Sequence, residues 1–225
     1  MATSARAKSR FPNNTTAVVF LLAALLLPGC QLHSFPEEQV AAPGVTLPPP
    51  AHAWATRISK PGLPNLHRVS DELYRGAQPT AAGFRELQAM GVKTVINLRY
   101  FLNERKEIAG TDLAYEEIPM HTWHAEDEDV VRFLQLVADK SRAPFFVHCH
   151  YGADRSGMLT GVYRIIVQGW TKEEAIAEML RGEFGFHVIW QNLVEYLQNL
   201  DVEKLKQQAF HPRRLETITT GATQD

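Results

Sequence analysis

A cysteine and an arginine five residues apart, set between two apolar segments, constrain this chain more than any other feature. Phe145, Phe146 and Val147 lead into His148-Cys149-His150-Tyr151-Gly152-Ala153-Asp154-Arg155-Ser156-Gly157, and residues 158–167 follow as an apolar run long enough for a buried helix. The stretch reads as strand, tight loop and helix start. Amides in such a loop can point inward at the mouth of the helix, where the helix dipole favours an anion. A phosphate held there presents its phosphorus to the Cys149 sulfur, and the same field stabilises the attacking thiolate. Arg155 brings a planar fork that grips two phosphate oxygens at once, which a lysine does not. Ser156 stands where its hydroxyl reaches the sulfur. Gly152 permits a left-handed turn, and Gly157 lets the helix lie tight on the strand.

The run His148, Cys149, five residues, Arg155, Ser156, Gly157 resembles the signature of the cysteine-dependent protein tyrosine and dual-specificity phosphatases. The resemblance covers roughly residues 65–200. It implies an α/β fold with a central parallel or mixed sheet of about four to five strands flanked by helices. It also implies catalysis through a phosphocysteine. Cys149 is then the nucleophile, and His150, Tyr151, Gly152, Ala153, Asp154 and Arg155 bind phosphate. Ser156 eases departure of the sulfur, while His148 hydrogen-bonds the loop rather than acting as a base. No metal and no organic cofactor is expected. Phosphotyrosine on a protein is the first choice of substrate, with phosphoserine and phosphothreonine beside it. Inositol phosphates and phosphoinositides are an alternative, but relatives acting on them often carry lysines in the loop, and this loop has none. Two rivals come from other classes. A phosphate-binding pseudophosphatase typically lacks the cysteine or the arginine, and a sulfurtransferase lacks the Arg-Ser-Gly ending.

The resemblance further asks for a carboxylic acid that protonates the leaving oxygen and then activates water. Asp127 stands first and Glu126 second, both in the segment 119–129 that follows an expected strand. Asp154, inside the loop itself, is the third candidate. Glu128 and Asp129 read as complements to a helix dipole. The family places its acid a few residues ahead of that helix, where this chain has Trp123 and His124, and Trp123 reads as a pocket wall. Phe186, His187 and Gln191 read as approaching the site from its far side.

Composition and order along the chain settle the rest. A net charge of -2 over 225 residues, without a basic stripe, leaves no footprint for nucleic acid. The 2 cysteines, Cys30 and Cys149, do not suggest a disulfide framework or a metal site. Arg6, Lys8 and Arg10 precede an apolar core at 17–27 of secretory length, so residues 1–30 read as a signal peptide. Leu27-Pro28-Gly29-Cys30 resembles a bacterial lipoprotein cleavage box. It implies lipidation of Cys30 and a membrane-anchored protein of the cell envelope, and Gln31 points to the periplasmic face of the outer membrane. Residues 31–64 hold most of the prolines and read as an extended tether without packed structure. Residues 65–208 read as a monomeric phosphatase domain and 209–225 as a disordered tail.

Within that domain, Leu73-Tyr74-Arg75-Gly76-Ala77-Gln78-Pro79 reads as a strand ended by a turn, and resembles the opening of a bacterial dual-specificity branch. Further strands are expected at 93–98 and 113–118. Helices are expected at 81–90 behind a Thr80 cap, and at 103–109, 128–140, 171–181, 187–199 and 201–208. In the helix at 187–199, Ile189, Leu193, Tyr196 and Leu197 face inward.

Overall fold

Alternation along short apolar strands divides this protein's interior into two cores, one on each side of a single sheet. The computed structural model describes residues 51–211. Its strands are β1 Thr56–Arg57, β2 His67–Arg68, β3 Leu73–Gly76, β4 Thr94–Asn97, β5 Ala114–Glu117 and β6 Phe145–His148. They lie in the order β1-β2-β3-β6-β4-β5. β3, β6, β4 and β5 run parallel, and β1 and β2 extend the β3 edge antiparallel. The helices are α1 Ala81–Ala89, α2 Asp127–Ala138, α3 Arg155–Ile166, α4 Lys172–Arg181, α5 Gln191–Gln198 and α6 Val202–Phe210. Phe145 and Val147 of β6 and Ile96 of β4 join the larger core with residues of α2 to α6. Phe146 and Val95 join the smaller core with Phe84 and Leu87 of α1, because successive side chains leave a strand on opposite faces.

β6 and β4 are parallel strands at the centre of this mixed sheet, so both are buried along their whole lengths. α3 is buried from Ser156 to Ile166, which is why its sequence is apolar nearly all round. Thr80 caps α1 by accepting a hydrogen bond from the Gly83 amide, and Thr171 with Glu174 forms a reciprocal capping box on α4. Parallel strands carry their carboxyl ends to one edge. The segments after β4, β5 and β6 therefore open together there, as the motif requires.

The structure departs from the expected layout at several points. The sheet has six strands, the additional ones being the two-residue β1 and β2. Residues 51–64, expected to be unpacked tether, belong to the fold. β1 pairs with β2, Leu63 is buried, and His52 stacks on Trp170 at 4.7 Å. Their prolines did not prevent docking, because the docked backbone finds partners, Ile58 N donating to Leu66 O and Thr80 N to Gly62 O. Residues 103–109 form turns rather than a helix. Side chains capture their backbone instead, with Asn97 Nδ2 donating to Leu102 O and the Glu104 amide to Tyr115 Oη. α5 begins at Gln191, so Ile189 lies outside it and is exposed. α6 extends to Phe210, past the expected tail boundary. Residues 1–50, which include Cys30, and residues 212–225 lie outside the described residues.

Arg164 and Glu178 form a buried two-point ion pair, Nε to Oε2 at 2.7 Å and Nη2 to Oε1 at 2.6 Å. Glu178 Oε1 also accepts from the Ala55 amide at 2.7 Å, which pins the N-terminal arm to α4. Removing one partner strands a buried charge at a cost of about 3–5 kcal/mol. Glu178→Ala is therefore expected to lower Tm by about 10 °C. An Arg164→Met/Glu178→Leu double variant recovers most of that loss in a thermal melt. Equal melts for Glu178→Ala and wild type would remove the pair from the account of stability.

Candidate active site

The loop between β6 and α3 owes its shape to groups that hold its carbonyls outward. His148 Nδ1 lies 3.4 Å from Cys149 O, and Gln78 N donates to His150 O at 3.3 Å. Asn65 Nδ2 donates to Tyr151 O at 3.0 Å. Arg75 Nη2 donates to Gly152 O at 2.8 Å and to Ala153 O at 3.1 Å. Every carbonyl from Cys149 to Ala153 is thus engaged on the outside, which leaves the intervening amides to face the hollow above Cys149. Gly152 makes the bend possible. Its φ is +70°, and a Cβ there would lie 2.3 Å from the Gly76 carbonyl carbon and 2.4 Å from the Ala77 amide nitrogen.

Cys149 is buried at the floor of this loop, and its Sγ lies 3.6 Å from Ser156 Oγ, within hydrogen-bond reach for sulfur. Arg155 opens α3, and its Nη1 donates to Leu98 O at 3.3 Å and Met120 O at 3.1 Å, beyond the ends of β4 and β5. Those bonds fix one end of the guanidinium. Its buried Nε has no protein partner among the described residues, the arrangement expected of a fork that completes its bonds on an oxyanion.

The electrostatics beneath the loop favour negative charge in it. Arg75 is fully buried in β3, and its guanidinium lies 4.0 Å from the centre of the Phe184 ring. Burial pushes Arg75 down to about 10, against the support of Glu178, Cys149 and Asp154, so it stays protonated at neutral pH. His148 lies on the other side, and burial pushes it down to about 3, with Arg99 and Arg155 acting in the same direction. Its 3.7 Å approach to Glu104 Oε2 is therefore a contact of a neutral ring, not an ion pair. Glu104 is itself buried and raised by that burial, while the Tyr115 hydroxyl donates to it at 2.7 Å. Asn97 Nδ2 in turn donates to the Tyr115 hydroxyl at 2.8 Å. This polar chain braces the back of the loop against β4 and β5.

Of the residues expected to act, the structure brings together His148, Cys149, His150, Tyr151, Gly152, Ala153, Asp154, Arg155 and Ser156. It does not bring Asp127 to them. Asp127 begins α2 and accepts from Tyr196 Oη and Lys204 Nζ, each at 2.7 Å. The Lys204 bond holds its carboxyl below the usual carboxylate range. It lines a groove of about 420 Å³ between α2, α5 and α6, away from the loop. Attraction by a lysine outside the motif decided this. Glu126 lies beside His124 at 3.5 Å, half exposed. Asp154 is buried at the loop, and its Oδ1 accepts from the His187 amide at 2.9 Å. His187 Nδ1 lies 3.0 Å from the other oxygen. Gln191 donates to Val188 O and Phe186 packs against the larger core, so of the three far-side residues His187 is the one that contacts the loop.

A hollow of about 240 Å³ opens beside Arg155, lined by Arg99, Tyr100, Phe101, Met120, His121 and Trp123 among others. Trp123 walls it as expected. Arg75 and Glu104 were missed from the sequence, although a lone arginine inside a strand was a visible signal for the first. Among the described residues no cluster of three His, Cys, Asp or Glu could hold a metal ion.

Comparison with known proteins places this site in context. A family model described as a DSP-PTPase phosphatase fused to NAD+ kinase matches residues 62–210. The dual specificity protein phosphatase TpbA of Pseudomonas aeruginosa UCBPP-PA14 is 35% identical over 192 residues, covering 83% of this chain and 82% of that protein. The crystal structure of a P. aeruginosa TpbA variant in complex with phosphotyrosine superimposes with a TM-score of 0.64 at 31% identity, covering 72% of this chain and 98% of that one. The inositol diphosphatase DSP5 of Arabidopsis thaliana is 28% identical over 159 residues, 64% of this chain and 73% of that protein.

The buried charge of Arg75 makes a prediction about Cys149 itself. In Arg75→Met the Cys149 sulfur loses a neighbouring cation, so its alkylation by iodoacetamide is expected to slow by about tenfold, whereas Arg75→Lys keeps the positive charge and most of the rate. An equal slowing in both variants would mean that the loop has moved and that charge is not the cause.

Proposed function

We propose, starting from the fact that this chain belongs to the DSP-PTPase phosphatase family, that its substrate is a protein bearing phosphotyrosine. The chain is a cysteine-dependent phosphatase. The observation that carries the reading is the loop between Cys149 and Arg155, whose carbonyls are held by Asn65 and Arg75 and so leave its amides for an anion. Three features support phosphotyrosine within that class. The hollow beside Arg155 has aromatic walls. The loop carries no lysine to meet further phosphates. The TpbA relative has been seen in complex with phosphotyrosine. One chain carries all the groups the reaction uses, which supports action as a monomer.

In this reaction the Cys149 thiolate attacks phosphorus, the phosphorus–oxygen bond to the substrate breaks, and a phosphocysteine forms. The loop amides and Arg155 hold the equatorial oxygens as charge develops on them. The leaving oxygen takes a proton, which we assign to the Asp154–His187 pair. Support for this is that His187 stands at the loop with its imidazole oriented by a buried carboxylate, whereas Asp127 is engaged by Lys204. The pair then takes a proton from water as the water attacks phosphorus. The sulfur leaves as thiolate, eased by the Ser156 hydroxyl 3.6 Å away, and inorganic phosphate is released.

The N-terminal residues supply the address. The basic start, the apolar core and Leu27-Pro28-Gly29-Cys30 support a lipid anchor on Cys30 that holds the enzyme in the cell envelope, on the periplasmic face of the outer membrane.

Three measurements test these assignments. Wild-type protein with reductant and chelator is expected to hydrolyse a small aryl phosphate and a phosphotyrosyl peptide, and Cys149→Ser neither. Turnover that survives in Cys149→Ser would end the thiol mechanism. In pH–rate profiles, Asp154→Asn and His187→Gln are expected to lose the same limb, with kcat lower by about 10²-fold. Asp127→Asn keeps both limbs, and the reverse pattern would return the acid role to Asp127. Finally, Cys30→Ser should abolish labelling by a radioactive fatty acid, and labelling that persists excludes Cys30 as the lipid site.

A further inference from the structure

Exposed apolar side chains gather around the phosphate loop and are scarce elsewhere. Among the described residues, all the large exposed ones except Val167 and Phe210 lie on the segments that surround it. Tyr100, Phe101 and Leu102 follow β4, Trp123 follows β5, Tyr151 is in the loop, and Val188 and Ile189 precede α5. Direct contacts join these segments into a rim. The Tyr151 ring lies 5.2 Å from that of His187, which is bonded to Asp154. Asn192, four residues past Val188, donates to Thr122 O at 2.9 Å. Trp123 stacks on His121 at 4.5 Å, His121 on Tyr100 at 3.8 Å, and Tyr100 meets Phe101 at 4.7 Å.

Phosphate chemistry alone does not call for such a rim. Phe101 is 81% exposed at the mouth of the hollow and Ile189 77%, so most of each side chain lies outside the fold and beyond the phosphate itself. A continuous exposed apolar patch marks a surface that some partner covers. Its continuity with the phosphate loop says that the partner arrives with the phosphoryl group. Its charge says what kind of partner this is. The hollow is lined by two full cations, Arg155 and Arg99, and Arg99 turns inward to within 3.6 Å of Glu104. A small polyanion would find little to meet its further charges, and a peptide with acidic flanks would find apolar side chains.

We infer that the rim reads apolar side chains flanking the phosphotyrosine of an extended protein segment, with Phe101 and Ile189 as its outermost contacts. The inference rests on the proposal that phosphotyrosyl protein is the substrate. Specificity then resides in loops that do no chemistry, and the phosphate loop supplies catalysis without selecting sequence.

The test compares kcat/KM for phosphotyrosyl peptides whose flanking residues are Leu and Ile, Glu and Asp, or Lys, with a small aryl phosphate as baseline. Wild type is expected to favour the apolar flanks by about tenfold. Ile189→Ser should lower kcat/KM on those peptides by about fivefold, mostly through KM, and leave the aryl phosphate unchanged. Equal rates on all peptides, a preference for acidic flanks, or equal losses on peptide and aryl phosphate would overturn the inference while leaving the phosphatase intact. Weaker binding of Ile189→Ser to phosphatidylglycerol vesicles, with unchanged peptide rates, would assign the rim to a membrane surface instead. Failure to turn over either aryl phosphate or any peptide would remove the substrate proposal and this inference together.

Discussion

Capture of the loop's carbonyls is the interaction on which the rest of this site depends. A tight loop carries one amide and one carbonyl per residue, and an anion site needs the first turned in and the second turned out. Here the donors that turn them out come from widely separated parts of the chain: Asn65 before β2, Arg75 in β3, Gln78 after it, and His148 at the end of β6. Only the folded sheet brings these groups to one place. The register that sets Gly76 and Asn97 on either side of His148 is therefore also the register that shapes the catalytic loop.

The sign of the buried charges follows the same logic. A buried arginine is costly, and two of Arg75's three side-chain nitrogens, Nε and Nη1, have no hydrogen-bond partner among the described residues. Its position is explicable if the loop above it carries negative charge during the reaction. His148 works in the opposite way. Kept neutral by burial, it serves the loop as a hydrogen-bonding wedge and adds no second cation. The Glu104–Tyr115–Asn97 chain behind it is held off the phosphate side, so its carboxylate does not compete for Arg155. The cation beneath the loop and the neutral imidazole beside it thus have different tasks, although both stand next to Cys149.

What was legible in the sequence was local. The nucleophile loop, the Thr80 and Thr171 caps, β4 and β6 each announce themselves through neighbouring residues, because strand alternation, capping and the Cys-to-Arg spacing act within a few positions. What was not legible was set at long range. Asp127 had the right chemistry and lay in the segment after the expected strand, and Lys204, 77 residues away, engages its carboxylate. Glu104 lay inside an apparent helix that broke because Asn97 and Tyr115 captured its backbone. Residues 51–64 had the composition of a tether, yet Leu66 beside β2 accepts from the Ile58 amide and the Thr80 amide at the start of α1 donates to the Gly62 carbonyl. In each case an interaction across the fold outweighed a local preference of roughly 1 kcal/mol.

The helices α5 and α6 show how recognition and chemistry come to share a frame. Tyr196 on α5 and Lys204 on α6 both hold Asp127, which fixes the start of α2. Asn192, at the start of α5, holds Thr122. The segment 121–127, which carries the His121 and Trp123 walls, is thus held at both ends by the C-terminal helices. The segment before α5 supplies His187 to Asp154 and exposes Val188 and Ile189 beside it. One helix start therefore positions a wall of the hollow, the imidazole bonded to Asp154 and part of the apolar rim. The Asp127 carboxylate, bonded to both helices, is the anchor that keeps those three in register.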